Sequence, residues 1–264
     1  MKKIITVFDV QNTPWHVLSF SIKIAKEYGS PIDGIFLRPR SDKQDFAYPF
    51  PNDMELTKDR LSDEFLARDN TLLVDDNINL FSYECENSGV KYEIQKDISL
   101  DGLIDNCKSH DLVVTDTRAD FLDQLLPRTS CPVCLTSGNE LPEKIVLMLD
   151  ENSSSRNAID ELTEVLPHFA SLPSTVVSIN LTNEQEAANE PYIGQLGKKF
   201  SNLKVHKLQG NVEKELLGFL GDEEKNIMVV MGAFGRSGVS RFFRQSLAKV
   251  ILEKTRLSLF IVHK

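Results

Sequence analysis

The 264-residue chain carries the same local pattern twice, and this internal repeat constrains its fold more than any other feature. Lys3–Asp9 and Lys144–Asp150 each consist of a lysine, five apolar or β-branched residues and an aspartate. A polar turn and a stretch with helical periodicity follow both segments. A repeated strand-and-helix unit predicts that the two parts of the chain fold alike. We therefore divide the chain at the linker 138–142 into a first half, residues 1–140, and a second half, residues 141–264.

Each half alternates apolar runs typical of strands with longer amphipathic stretches typical of helices. The strand-like runs are continuously apolar, which is typical of a parallel sheet covered on both faces. The predicted fold class is α/β, with two tandem doubly wound domains that each contain an open five-stranded parallel sheet. The predicted strands are 4–8, 32–37, 90–94, 112–115, 132–135, 144–149, 175–181, 205–208, 227–230 and 259–262. The predicted helices include 16–28, 55–85, 100–107, 191–200, 212–220 and 247–254.

The charge and the distribution of apolar residues exclude several classes of partner. The net charge is −9 at pH 7, and an acidic surface repels the phosphates of nucleic acids. No run reaches 18 apolar residues, so we expect neither a transmembrane span nor a membrane partner. The first residues lack a long apolar segment with a cleavage site, so we expect no signal peptide and a cytoplasmic location.

The cysteines and histidines give no sign of a metal or redox centre. We expect all four cysteines to be free thiols: Cys85, Cys107, Cys131 and Cys134. The last two form a C-x-x-C, but it lies on a predicted strand, where the two side chains point to opposite faces. The five histidines do not have metal-ligand spacing, so we expect no bound metal.

The second half concentrates ligand-binding chemistry after its strands, where open α/β sheets bind ligands. Asp150 ends the first of these strands, and a glycine- and arginine-rich loop follows the fourth. Glycines allow a close approach of the backbone to phosphate oxygens, and the start of the next helix adds partial positive charge. The loop and helix start contain Gly232, Gly235, Arg236, Arg241, Arg244, Gln245 and Ser246. The sequence therefore predicts an anion site here.

The spacing of this loop resembles the signature of the universal stress protein family, Gly-x2-Gly-x9-Gly-Ser/Thr. Gly232, Gly235 and Ser246 fit the signature, whereas Gln245 stands in place of the third glycine. The resemblance covers both halves and is stronger in the second. It implies a tandem, two-domain universal stress protein with the adenine-nucleotide α-hydrolase-like fold, acting in stress response.

The resemblance also implies a ligand and its contacts. The ligand is an adenine nucleotide, ATP or AMP, with Mg²⁺ accompanying ATP. Asp150 would contact the adenosine, Val177 would line the base pocket, and the glycine loop would surround the ribose and phosphates. The expected nucleotide-binding residues are Asp150, Val177, Met231, Gly232, Gly235, Arg236, Gln245, Ser246 and Leu247. We expect a binding protein with no catalytic residues, although slow ATP hydrolysis stays open.

Two departures from the family pattern keep a second interpretation open. Gln245 either blocks the close approach of the backbone to the ligand or donates its amide to a phosphate. The first half lacks the glycine loop, and Asp116 and Asp120 there would repel phosphate, so we expect this half to be a structural partner. The alternative is therefore a scaffold that binds a protein partner or a small ligand without any nucleotide.

Two segments outside this loop bear on partners. The resemblance implies that the domains pair through their last strands, so residues 133–136 and 259–262 would pair antiparallel within one molecule; a homodimer stays open as well. The aromatic, proline-rich segment 46–51 lies in the loop 41–53. It is interpreted as a packed cover over the first sheet, or alternatively as a lid or partner-binding loop.

Overall fold

A computed structural model describes residues 3–9, 14–38, 74–222, 226–232, 251, 255 and 257–263. The strands are β1 (Ile4–Phe8), β2 (Ile32–Leu37), β3 (Tyr92–Ile98), β4 (Leu112–Asp116), β5 (Val133–Thr136), β6 (Lys144–Met148), β7 (Pro173–Ile179), β8 (Asn202–Leu208), β9 (Ile227–Gly232) and β10 (Ser258–Val262). The helices are α1 (Trp15–Tyr28), α2 (74–88), α3 (Leu100–Asn106), α4 (Leu122–Leu125), α5 (Ser153–Val165), α6 (Asn183–Lys199) and α7 (Val212–Asp222). Within these residues, no helix is both long and apolar enough to cross a membrane.

The described strands form one continuous ten-stranded sheet in the order β3-β2-β1-β4-β5-β10-β9-β6-β7-β8. The first half supplies β1 to β5 and the second half supplies β6 to β10, and the strand order within each half is the same. Every neighbouring pair is parallel except β5 and β10. The α/β fold class predicted from the repeat is confirmed.

The two halves meet where β5 and β10 pair antiparallel. Leu135 lies opposite Leu259, and Cys134 lies opposite Phe260. All four side chains are fully buried. The structure thus shows the predicted pairing of the last strands within one chain. Because this pair joins the halves, neither strand is an edge of the sheet.

Helices cover both faces of the sheet, as the continuously apolar strands predict. One face packs against α1, α2, α5 and α6. The other packs against α3, α4, α7 and the helical residue Ile251. Strand residues alternate between the two cores, so that Ile145 and Leu147 enter the first and Val146 the second. The cysteines are buried and free, as expected.

The largest error of the sequence prediction within the described residues concerns α6. The prediction began this helix at Pro191, but it begins at Asn183 and contains Pro191 in its interior. The helix begins with a capping box. The Thr182 hydroxyl accepts from the backbone N–H of Gln185, and the side-chain oxygen of Gln185 accepts from the backbone N–H of Thr182. The sequence prediction takes the proline as the helix start, whereas the capping residue Thr182 lies nine residues upstream of it.

Other elements differ from the prediction in extent. β3 ends four residues later than predicted, at Ile98, and β8 begins three residues earlier, at Asn202. The short α4 was not predicted. Of the predicted helix 55–85, only the part from residue 74 lies in the described chain, where it is helical. The loop 41–53 and most of the predicted helix 247–254 lie outside the described residues.

Candidate functional site

The topology of the second half creates a crevice at the carboxyl ends of β6 and β9. These two strands are neighbours in the sheet, and the described helical residues that come after them in the chain pack on opposite faces. After β6 the chain enters α5, which packs on one face, whereas Ile251, in the chain after β9, packs on the other. In open α/β sheets, ligands bind at such a switch point, outside the carboxyl ends of the strands.

Asp150 lies at this crevice, two residues after the end of β6, and is partly buried. Its Oδ1 accepts from the Asn152 backbone N–H at 3.0 Å, and its Oδ2 accepts from the Asn152 side-chain amide at 3.2 Å. Its own N–H donates to the Ser155 hydroxyl at 3.3 Å. These bonds turn the chain from β6 into α5. Each carboxylate oxygen has two lone pairs, so a ligand can still donate to Asp150.

Gly232 ends β9 and lies against the first turn of α5. A Cβ atom at this position would come within 2.3 Å of the Ser154 carbonyl oxygen and 2.5 Å of its carbonyl carbon. Both are backbone atoms, so any side chain at position 232 would require α5 to move. The close packing of β9 against α5 therefore requires this glycine, whether or not a ligand binds.

Two further predicted residues, Val177 and Met231, lie near the carboxyl ends of β7 and β9 and are buried. Val177 is fully buried and Met231 is 4% exposed, and both belong to the core on the α7 face. Met148 lies opposite Val177 in the parallel pair of β6 and β7 and packs against the same core. Buried apolar side chains and the partly buried carboxylate of Asp150 thus lie at the same end of the sheet, where β6, β7 and β9 finish.

Four of the nine predicted residues lie near the carboxyl ends of β6, β7 and β9: Asp150, Val177, Met231 and Gly232. The other five predicted residues lie outside the described part of the chain: Gly235, Arg236, Gln245, Ser246 and Leu247. The described site therefore corresponds to the part expected to contact adenosine, and the expected phosphate loop follows directly after Gly232.

The repeat allows a direct comparison with the first half. Ile5 and Val146 occupy the same position in the repeated segment; Ile5 pairs with Val113, and Val146 pairs with Val229. Counting three residues onward from these partners places Asp116 where the second half has Gly232. The first half therefore has a carboxylate at the position of the packing glycine.

Asp116 is buried and bound by two basic side chains. Its Oδ2 lies 3.0 Å from His16 Nε2, and its Oδ1 lies 3.3 Å from Arg118 Nε. Burial raises the pKa of Asp116, but the hydrogen bonds from His16 and Arg118 outweigh it and hold the pKa at about 2. Asp116 is thus an anion at neutral pH, and an anion here disfavours a phosphate.

Sequence reasoning missed several residues that shape the site. Asn152, Ser154 and Ser155 build the turn into α5, and Asn189 of α6 donates its amide to the Asp150 carbonyl at 3.2 Å. The run of three serines after Asn152 was a usable signal, because small residues allow a strand to approach a helix closely. Asn189 carried no such signal, since polar helical residues are usually exposed.

No group of three or more metal-binding side chains occurs in the part of the chain that the structure describes.

Known proteins resemble this chain in fold rather than in sequence. No family model and no curated protein matches the sequence. A universal stress protein from Archaeoglobus fulgidus superposes with a TM-score of 0.72 at 13% identity, over 98% of both chains. A putative universal stress protein from Pseudomonas aeruginosa gives 0.63 at 14% identity, over 99% of this chain and 92% of the other. A functionally unknown protein from the same species gives 0.62 at 13%, with the same coverage. The chain thus has the fold of universal stress proteins along nearly its whole length.

Proposed function

We propose that this chain is a stress-response protein that binds an adenine nucleotide in its second half, at the carboxyl ends of β6 and β9. The observation that carries the proposal is the placement of Asp150 and Gly232 at a topological switch point, next to the apolar residues that end β6, β7 and β9. An aromatic base fits an apolar surface, and an adjacent carboxylate can accept hydrogen bonds from adenosine. The sequence that continues from Gly232 contains the glycines, arginines and helix start suited to phosphates.

In this proposal the two halves are separate domains with different tasks. Residues 141–264 form the binding domain. Residues 1–140 form a degenerate domain that completes the sheet through β5, and Asp116 there disfavours a nucleotide. In this proposal the protein acts by binding, in the cytoplasm, and slow ATP hydrolysis stays open.

The test is isothermal titration of AMP and of ATP with Mg²⁺ into the natural protein and two matched variants. We expect binding with a Kd on the order of micromolar. Asp150→Asn should weaken it about tenfold, because it removes the charge-assisted acceptor. Asp9→Asn changes the corresponding aspartate of the first half and should leave affinity unchanged. Equal losses in both variants, or no change in Asp150→Asn, would contradict the proposed site.

One observation favours the alternative, a scaffold that binds a protein or small ligand without a nucleotide. The close approach of Gly232 to Ser154 explains a glycine at this position by packing alone. The variant Gln245→Gly separates the two functions, since it restores the third glycine of the signature. Binding by this variant but not by the natural protein would mean a lost nucleotide site. No binding by either would favour the scaffold.

A further inference from the structure

Asn189 is a buried polar residue on a helix that is otherwise attached to the protein by few buried side chains. It is 1% exposed, and the other buried residue of the 17-residue α6 is Leu196. Burying an amide is costly unless both its donor and its acceptor find partners. The partners of Asn189 therefore decide how the first part of α6 sits on the protein.

The amide of Asn189 joins two segments that follow β6. Its Nδ2 donates to the carbonyl oxygen of Asp150 at 3.2 Å. Its Oδ1 accepts from Arg156 Nη2 of α5 at 2.7 Å. The orientation of the amide is fixed, because a flipped amide would place a donor against the guanidinium and an acceptor against the carbonyl. Asn189 is thus held in one conformation by both contacts.

The contacts of Arg156 extend this network along α6. Its Nη2 also donates to the Ala188 carbonyl at 3.2 Å, and its guanidinium carbon lies 5.4 Å from the centre of the Tyr192 ring. The Tyr192 hydroxyl in turn donates to the Arg156 carbonyl at 3.0 Å. The first part of α6 is therefore connected to α5 and to the Asp150 loop through polar groups.

We propose that Asn189 is a positioning residue that fixes the main chain of Asp150 and thereby couples the candidate nucleotide site to α6. The ligand part of this inference rests on the proposed function. Asn152 holds the carboxylate of Asp150, whereas Asn189 holds its carbonyl, so the two together fix the direction of the carboxylate. Asn189 itself acts through Asp150 and not by contact with a ligand.

The first test requires no ligand. Asn189→Asp keeps the size of the side chain and an acceptor for Arg156 but removes the donor to Asp150. The matched control is Asn106→Asp in the first half, where the amide donates to the Gly102 carbonyl at 2.9 Å. We expect amide hydrogen exchange of residues 150–152 to become about fivefold to tenfold faster in Asn189→Asp and to stay unchanged in Asn106→Asp. Unchanged exchange in both variants would overturn the inference.

The second test is a double-mutant cycle on AMP affinity, measured in the natural background and in Asp150→Ala. Asn189→Asp should weaken AMP binding about fivefold in the natural background and not at all in Asp150→Ala, because its effect passes through the carboxylate of Asp150. Equal weakening in the two backgrounds would overturn this route. A general structural role of Asn189 would lower AMP affinity equally in the natural and the Asp150→Ala backgrounds, and the cycle would then give no coupling energy.

The two tests also separate this inference from the proposed function. Faster exchange in Asn189→Asp together with no AMP binding by the natural protein would support the positioning of Asp150 and contradict the nucleotide site. If Asn189→Asp does not fold, the coupling can be tested in the natural protein by nuclear magnetic resonance. Side-chain amide signals of Asn189 should shift when AMP is added, whereas those of Asn106 should not. If the protein binds AMP and the Asn189 side-chain signals do not shift, the proposed coupling is wrong.

Discussion

At the scale of single residues, the two halves differ most at the position shared by Asp116 and Gly232. The same place in the repeated sheet carries a charged side chain in one half and no side chain in the other. In the first half, the side chains of His16 and Arg118 contact the carboxylate of Asp116. In the second, the backbone of Ser154 takes up the space. The two halves therefore differ in whether the residue at the end of this strand carries a negative charge.

The ion pairs of Asp116 predict a pH-dependent contribution to stability. Its pKa of about 2 lies below the value of an unfolded aspartate, so the contribution is present above about pH 4 and is lost as the pH falls through 2. We expect Asp116→Asn to lower the free energy of unfolding by about 2 kcal/mol at pH 7. Urea titrations at several pH values would measure this loss, which should shrink between pH 4 and pH 2. The exposed Asp120→Asn is the control, and an equal loss in that variant would contradict the interpretation.

At the scale of elements, the packing of β9 against α5 depends on the absence of a side chain at Gly232. Replacing a glycine normally stabilises a chain by reducing the freedom of its unfolded state. Here the new methyl group would meet backbone atoms of Ser154, which cannot rotate away as a side chain can. Steric strain should therefore exceed the entropic gain.

We expect Gly232→Ala to destabilise the protein by about 1–3 kcal/mol. Gly194→Ala in α6 is the matched control, because a Cβ there would meet no atom within 4 Å. The control should be neutral or stabilise the helix by up to about 1 kcal/mol. Thermal and urea unfolding of the three proteins would compare them. A Gly232→Ala protein as stable as the natural one would mean that α5 can shift, and that the glycine serves the ligand rather than the packing.

The elements also show which features the sequence could predict. Short apolar runs rich in β-branched residues predict buried strands, as at Ile227–Val230, and position after a predicted strand placed Asp150 and Gly232 at the same end of the sheet. The extent of α6 was not predictable from Pro191, since the helix tolerates the proline once Thr182 has capped its start. The burial of Asn189 depends on Arg156 and Asp150, which lie more than 30 residues away in sequence and meet it only in the folded chain.

At the scale of the whole molecule, the two halves share one hydrophobic core on the α1 and α5 face. Leu18 of the first half and Leu162 of the second belong to the same continuous cluster, together with Phe260 at the junction of the halves. A core that crosses the boundary favours cooperative unfolding of both halves.

This shared core predicts that a destabilising substitution in the second half also lowers the stability of the first half. Leu162→Ala removes a fully buried side chain and should cost about 2–5 kcal/mol. Trp15 is the single tryptophan of the chain and reports on the first half. We expect its fluorescence transition in urea to move to lower concentration in Leu162→Ala and to coincide with the transition seen by circular dichroism. A Trp15 transition that stays in place would show that the halves unfold independently.

The antiparallel junction of β5 and β10 has a consequence for the outside of the molecule. The strands of one half run in the opposite direction to those of the other. The carboxyl ends of β1 and β4 therefore lie at one end of the strands of the sheet, and those of β6 and β9 lie at the opposite end. The two crevices therefore face away from each other. A macromolecule bound over Asp116 would therefore not lie over Asp150, so binding at one of the two ends would not by itself block the other.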